Sequence, residues 1–543
     1  MQKGDPAGAR AAFERAIKID PQNADAQNAL GQFMLQQGDV DGAIHHFRTV
    51  TRLRPGLAIA HAYLAQALAR QGLLEEAAHE LRVAVRLAPQ QAEAHRDLAR
   101  VLSQQQKTDD AVSEMKRAVA LQPARPELHD DLGVLLAQQL QLTDAEKEFR
   151  AALDLDPQYE AAQLHLGVAQ LNGGERDKAL TALEKAVQLD PKDGTAQYYL
   201  GTVLEAKGNI ERALVAYAQA AELTPNVAAV ETRFALLLQG SGDPEKAATA
   251  FAKVVEITPN DPEAHNNLGL ALMQFGQGDS AVKEFQTALK LHPDDPGIRG
   301  NLGLAYLQKA DFDAAARELR EALRIAPAQA HLHYDLAVAL KLKDDLAGAI
   351  AELKEAIRLD PALADAYYTY GVTLWQSGDF PAAVERLQDA IRVKPDYAEA
   401  HYTLGTVFKQ MDKLPEAASA LREAIRLQPD FAGAHTTLAG VLRQLGDSQA
   451  AAAESKTGAE ISQQKTSLQA ATFTTNSGRR LLEAGDLEGA LSQFRSAINS
   501  QPAYAPAHYQ LGLALQRKGD KAGATVEFEK AAQLDPRFKS PSR

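Results

Sequence analysis

Along this chain, apolar and small residues return at a fixed spacing that spells out helices in pairs. In the stretch Ala364–Tyr397, Ala366, Tyr370 and Leu374 fall four residues apart, on one face of a helix. Ala383, Leu387 and Ala390 mark a second helix in the same way. Gly378-Asp379 lies between them, where a reversal of the chain calls for a left-handed residue that Gly adopts at little cost. Pro395 ends the second helix, because proline lacks an N–H and pushes the residue before it toward extended geometry.

The stop is periodic. Pro21, Pro55, Pro89, Pro123, Pro157, Pro191, Pro225, Pro259, Pro293, Pro327, Pro361, Pro395 and Pro429 stand 34 residues apart, and the period resumes at Pro502 and Pro536. With the proline set at position 32, position 8 is always Gly or Ala, from Gly31 to Gly512, and position 20 is always Ala, from Ala43 to Ala524. Position 7 is mostly Leu, and position 24 is large and apolar in all but one unit (Phe47, Phe149, Tyr217, Leu387). Small residues at 8 and 20 let paired helices approach closely, and bulky ones at 7, 11 and 24 fill the space between units. One hairpin cannot bury its own apolar face, so it stacks on the next. That resolves a size problem, since 543 residues exceed what one core of roughly 250–300 residues organises.

A 34-residue helix–turn–helix with Leu-Gly, Ala-x3-Phe and Pro resembles the tetratricopeptide repeat. Asp379–Pro395 is close to the family's second helix, whereas position 4, where the family favours Trp, is most often His here, as in Ala400-His401-Tyr402-Thr403-Leu404-Gly405. The resemblance runs along essentially the whole chain. It implies an all-α, right-handed superhelical solenoid: a half repeat at 1–23, twelve regular repeats at 24–431, a degenerate repeat with a five-residue insertion at 432–470, two repeats at 471–538 and a tail at 539–543. It also implies that first helices line a concave groove that receives peptides, with positions 2, 5, 6, 9, 12 and 13 pointing into it.

On those positions, residues 330–431 carry the most suggestive chemistry. Position 5 is Tyr334, Tyr368 and Tyr402 in successive units, and position 12 is Lys341, Trp375 and Lys409. Trp375 is the chain's one Trp, and aromatic rings beside a few cations are what protein interfaces use as anchors. Tyr at position 5 also serves plain packing in the family. Asn267, Asn301 and Asn476 hold position 6. The Lys and Asn of the family's carboxylate clamp are missing from positions 2, 5 and 9.

Composition narrows the partners. The net charge is −13, which argues against phosphate-backbone binding and suits basic or neutral protein partners. With no Cys, disulfides, thiolate catalysis and Cys-based zinc sites are excluded. No apolar run reaches the roughly 18 residues of a membrane span, and Met1–Ile19 has no signal-peptide apolar stretch. The compartment is not set by these features. No H-E-x-x-H, G-x-S-x-G or P-loop motif occurs, and Gly276-Gln277-Gly278 sits in an inter-helix turn with no strand before it. His61, His95, His129, His265, His333, His401, His435 and His508 all occupy position 4, one per unit. A single imidazole per stacked helix does not converge on an ion, so packing between neighbours is the expectation, with no metal and no cofactor.

Three departures stand out. Met1 falls at position 12, so the chain opens on a second helix without its first. In unit 432–465, Ser455, Gly458 and Gln463 replace the bulky residue, the small Ala and the proline, and Thr466–Ala470 are inserted. Without the proline, that helix is expected to run past Gln464, with a bend or phase shift in the stack. The last repeat is followed by a short tail with no capping helix. The leading expectation is a non-catalytic scaffold holding a partner peptide or helix in the groove. The alternatives are a rod assembled end to end through open termini, and the repeat portion of a larger enzyme.

Overall fold

The computed structural model describes residues 6–538, and these form thirty helices, from Pro6–Ile19 to Lys521–Leu534, with no strand among them. By their internal contacts they divide into two units, meeting at Gln277 and Gly278. Each unit is a row of hairpins in which a first helix of about 13 residues packs on a second of 14. The fold is therefore an all-α repeat solenoid, as the spacing predicts.

The turn within each hairpin places position 15 in the left-handed region. Gly378 has φ of 88°, and where Gly is absent the strain falls on an ordinary side chain, as at Leu140 with φ of 59°. The following residue starts the second helix. Asp379, Asp345 and Asp486 each accept the N–H three residues on, satisfying a donor the helix leaves open.

Packing inside a hairpin follows from positions 8, 20 and 24. The alanines at position 20 are at most 3% exposed from Ala43 to Ala524. Position 24 lies directly on position 8: a Cβ on Gly31 would stand 2.8 Å from Phe47 Cε1, and one on Gly371 would stand 2.7 Å from Leu387 Cγ. Each fully buried residue at position 24 contributes roughly 1.5–3 kcal/mol.

The position-4 histidines do more than pack. His61 Nδ1 stands 2.6 Å from Glu80 Oε2 in its own hairpin, and its Nε2–H donates to the Pro55 carbonyl of the preceding one at 3.1 Å. His95, His129, His333, His435 and His508 repeat this pair of bonds with Glu114, Glu148, Glu352, Glu454 and Glu527. Where Arg299 replaces His, its guanidinium donates to Glu318 and to the Pro293 carbonyl, both at 3.0 Å. In the unit 24–57 the chemistry is exchanged: Gln27 donates to the Pro21 carbonyl while His46 Nδ1 meets Gln27 Oε1 at 2.6 Å. In these repeats position 4 satisfies the carbonyl of the stop proline and ties the repeat to the one before.

In the degenerate unit the second helix does not stop. Ser448–Glu483 is one 36-residue helix that passes through the inserted Thr466–Ala470. Lys465 pins it by donating to the Asp430 carbonyl at 2.8 Å. Phe473 on this helix is 77% exposed.

Within each unit, first helices also touch one another. Ala58–Arg70 (α4) meets Ala92–Gln104 (α6), and Ala330–Leu342 (α20), Ala364–Gln376 (α22) and Ala398–Gln410 (α24) form a row in sequence. No pair of successive second helices makes a comparable contact. The first helices therefore form the closer-packed face.

Candidate functional site

On the row α20, α22 and α24, the tyrosines at position 5 are half-buried. The Tyr334 hydroxyl is within hydrogen-bonding reach of Thr369, and Tyr368 repeats this one unit on, with its hydroxyl 3.4 Å from Thr403 Oγ1. Tyr368 packs at 5.1 Å between ring centres on Tyr397, whose hydroxyl donates to Asp365 at 2.6 Å. Lys394 Nζ lies 4.6 Å from the Tyr397 ring centre, a cation over an aromatic face. Tyr402 pairs with Phe431 at 4.7 Å. Trp375 is half-buried and its indole N–H donates to Gln410 Oε1 at 2.6 Å. Tyr334, Tyr368 and Trp375 thus reach the next repeat, while Tyr402 stacks on the last residue of its own, and each ring is held while part of it stays open.

Lys341 and Lys409 are half-buried at position 12 of α20 and α24. Burial alone lowers the Lys341 ammonium below its ordinary range. Asp335, at position 6 of α20, is not a residue that the sequence pattern singles out. Desolvation lifts its carboxyl to about 6. Asn301 is half-buried on Pro296–Gln308, one repeat before Tyr334, while Asn267 is half-buried on Pro262–Gln274 in the other unit.

The first unit presents a different surface on the same register. A cavity of about 280 Å³ is lined by Gln66, Arg70, Asp97, Arg100 and Gln104, and a second of about 220 Å³ by Arg100, Gln104, Asp131 and Gln138. Arg96 Nε donates to Asp131 at 2.6 Å, and Arg100 approaches the same carboxylate at 3.3 Å. Asp130, 4% exposed, takes His165 Nδ1 at 2.8 Å. Tyr159 is pushed up to about 12 by burial and by Asp130, Asp131 and Glu127. The sequence pattern does not single out these charges, because nothing in their spacing shows that they pair across repeats.

No group of His, Cys, Asp or Glu among the described residues could hold a metal ion. No described helix is long and apolar enough to cross a membrane.

A row of hairpins with an open face of anchored side chains defines a repeat scaffold, the kind of protein that holds other proteins. Models described as tetratricopeptide repeat match residues 1–67, 96–160, 164–228, 232–296, 272–338, 402–456 and 505–538, and a TPR repeat model matches 340–378, 373–412 and 478–519. The chain belongs to the tetratricopeptide repeat family. No curated protein matches it. Among solved structures it is similar to the APC/C hetero-tetramer Cut9-Hcn1, at 16% identity over 80% of this chain and 92% of that one, with a TM-score of 0.38. Yeast Tom70 is similar at 18% identity over 80% and 96%, with a TM-score of 0.37. YrrB, a TPR protein with an unusual peptide-binding site, is similar at 24% over 37% and 100%, with a TM-score of 0.32. These likenesses concern fold alone. Proteins of this family typically mediate protein–protein interaction, and their scaffold folds are generally non-catalytic.

Proposed function

We propose that the chain is a non-catalytic scaffold and that residues 330–431 hold a segment of a partner protein on the face formed by α20, α22 and α24. The observation that carries this reading is the set of half-buried rings Tyr334, Tyr368, Tyr402 and Trp375, each anchored by a neighbouring side chain yet partly open. Rings held in one rotamer lose little entropy when a ligand covers them, so their area converts efficiently into affinity. Lys341 and Lys409 border the aromatic row at the position that Trp375 occupies in the middle helix. Asn301 extends the same face by one repeat, and Asn267 holds the same repeat position in the other unit.

The test is selection of a displayed random peptide library on the intact chain, followed by anisotropy titration of the recovered peptides. Trp375→Ala is expected to weaken them by about thirtyfold, the effect of a hot-spot aromatic. Circular dichroism should show unchanged helicity. An unproductive selection, or wild-type affinity in both Trp375→Ala and Tyr368→Ala, would sink this placement.

A further inference from the structure

The face just described holds two charges with no counter-charge. Asp335 and Lys341 both lie on α20, six residues apart, or about 9 Å along the axis. Both side chains are half-buried, and neither makes a hydrogen bond or ion pair with any described residue. Their neighbours sharpen the point. Asp335 faces Tyr334, which is neutral, and Asp365 nearby already receives the Tyr397 hydroxyl. Burial acts on Asp335 and Lys341 without any opposing charge, raising the acid and lowering the base. Desolvated charges are costly and are normally paired. Elsewhere on this register the chain does pair them, as Arg96 with Asp131 shows.

Resting on the partner-binding reading above, we propose that Asp335 and Lys341 are a charge reader: the segment bound across α20 supplies a Lys or Arg to Asp335 and an Asp or Glu to Lys341. Tyr334, whose hydroxyl feels the Asp335 carboxylate, assists the first contact, since an aromatic face accepts a cation, as the Tyr397 ring already does with Lys394. The second contact forms beside the Trp375 row. The partner therefore carries a base and an acid about 9 Å apart, in an order fixed by the direction of α20.

Peptides recovered on the intact chain test this when the selection is repeated on Asp335→Asn, on Lys341→Met, and on the exchanged double variant Asp335→Lys with Lys341→Glu. The wild type should recover peptides bearing both a base and an acid. Asp335→Asn should lose the requirement for the base and Lys341→Met that for the acid, and each should weaken wild-type peptides by about tenfold. The exchanged variant should recover the reversed order. Peptides that bind through Trp375 but carry no charge pair, or that ignore both single substitutions, would overturn the charge reader while leaving the binding face intact. Recovery of no peptide would overturn both.

Discussion

Two stretches of the same repeat, residues 58–165 and residues 330–431, use the same groove positions for opposite ends. In the first, Arg96 and Arg100 converge on Asp131 and His165 on Asp130, so charge is neutralised within the protein. Even Asp97, whose carboxyl burial pushes up, has Arg96 and Arg100 close enough to pull it back. In the second, aromatic rings reach from repeat to repeat while Asp335 and Lys341 stay unpaired. One surface is complete without a partner; the other, on the proposal above, is completed by one. A tetratricopeptide backbone fixes only where side chains point; whether a patch is structural or receptive depends on whether its charges find each other.

That contrast can be broken from either side. The largest effect is expected where charges are paired. Asp131→Ala removes the closest anion from Arg96, whose side chain is 16% exposed, and from Arg100, leaving Arg96 only the longer 3.9 Å contact to Glu93 and both arginines the more distant Asp97. It should cost about 3 kcal/mol, read as faster amide exchange in α6 and in Pro126–Gln138. A loss under about 0.5 kcal/mol would mean the pairing there is incidental.

Asp335→Asn should do the reverse and stabilise. The carboxyl titrates near 6 when folded and near 3.8 otherwise, so the folded chain holds its proton more tightly. Stability therefore falls as pH rises through that window and stays lowered above it. At pH 7 the substitution should return about 2 kcal/mol, and the gain should fade as pH drops below about 3.8 and vanish by about pH 3, where both states are protonated. Protection factors in α20, exchange rates divided by the intrinsic rate at each pH, that stay constant between pH 4 and 7 would contradict an unpaired acid.

The smallest change is expected at Lys341→Met. Half-exposed lysine keeps much of its hydration, so stability should move by no more than about 0.5 kcal/mol. A clear destabilisation would reveal a counter-charge and remove half of the contrast.

Much of this architecture is legible in the residues. Small position 8 against bulky position 24 gives the hairpin, as Gly371 beneath Leu387 shows, and the missing proline near Gln463 foretells the helix that runs to Glu483. The aromatic row was legible because Tyr and Trp recur at fixed register positions. The histidine link was not, since His61 meets Glu80 nineteen residues on and a carbonyl six residues back, and spacing alone carries no sign of either bond. Asp335 was missed for a related reason. At position 6 it reads as one more surface acid, and only the packed structure shows that it is desolvated without an ally.

Amide hydrogen exchange of the intact chain, with and without the tightest selected peptide, tests the receptive face most directly. Slowing confined to α20, α22 and α24 is the predicted result. Slowing centred on α4 and α6, or spread evenly through both units, would contradict it.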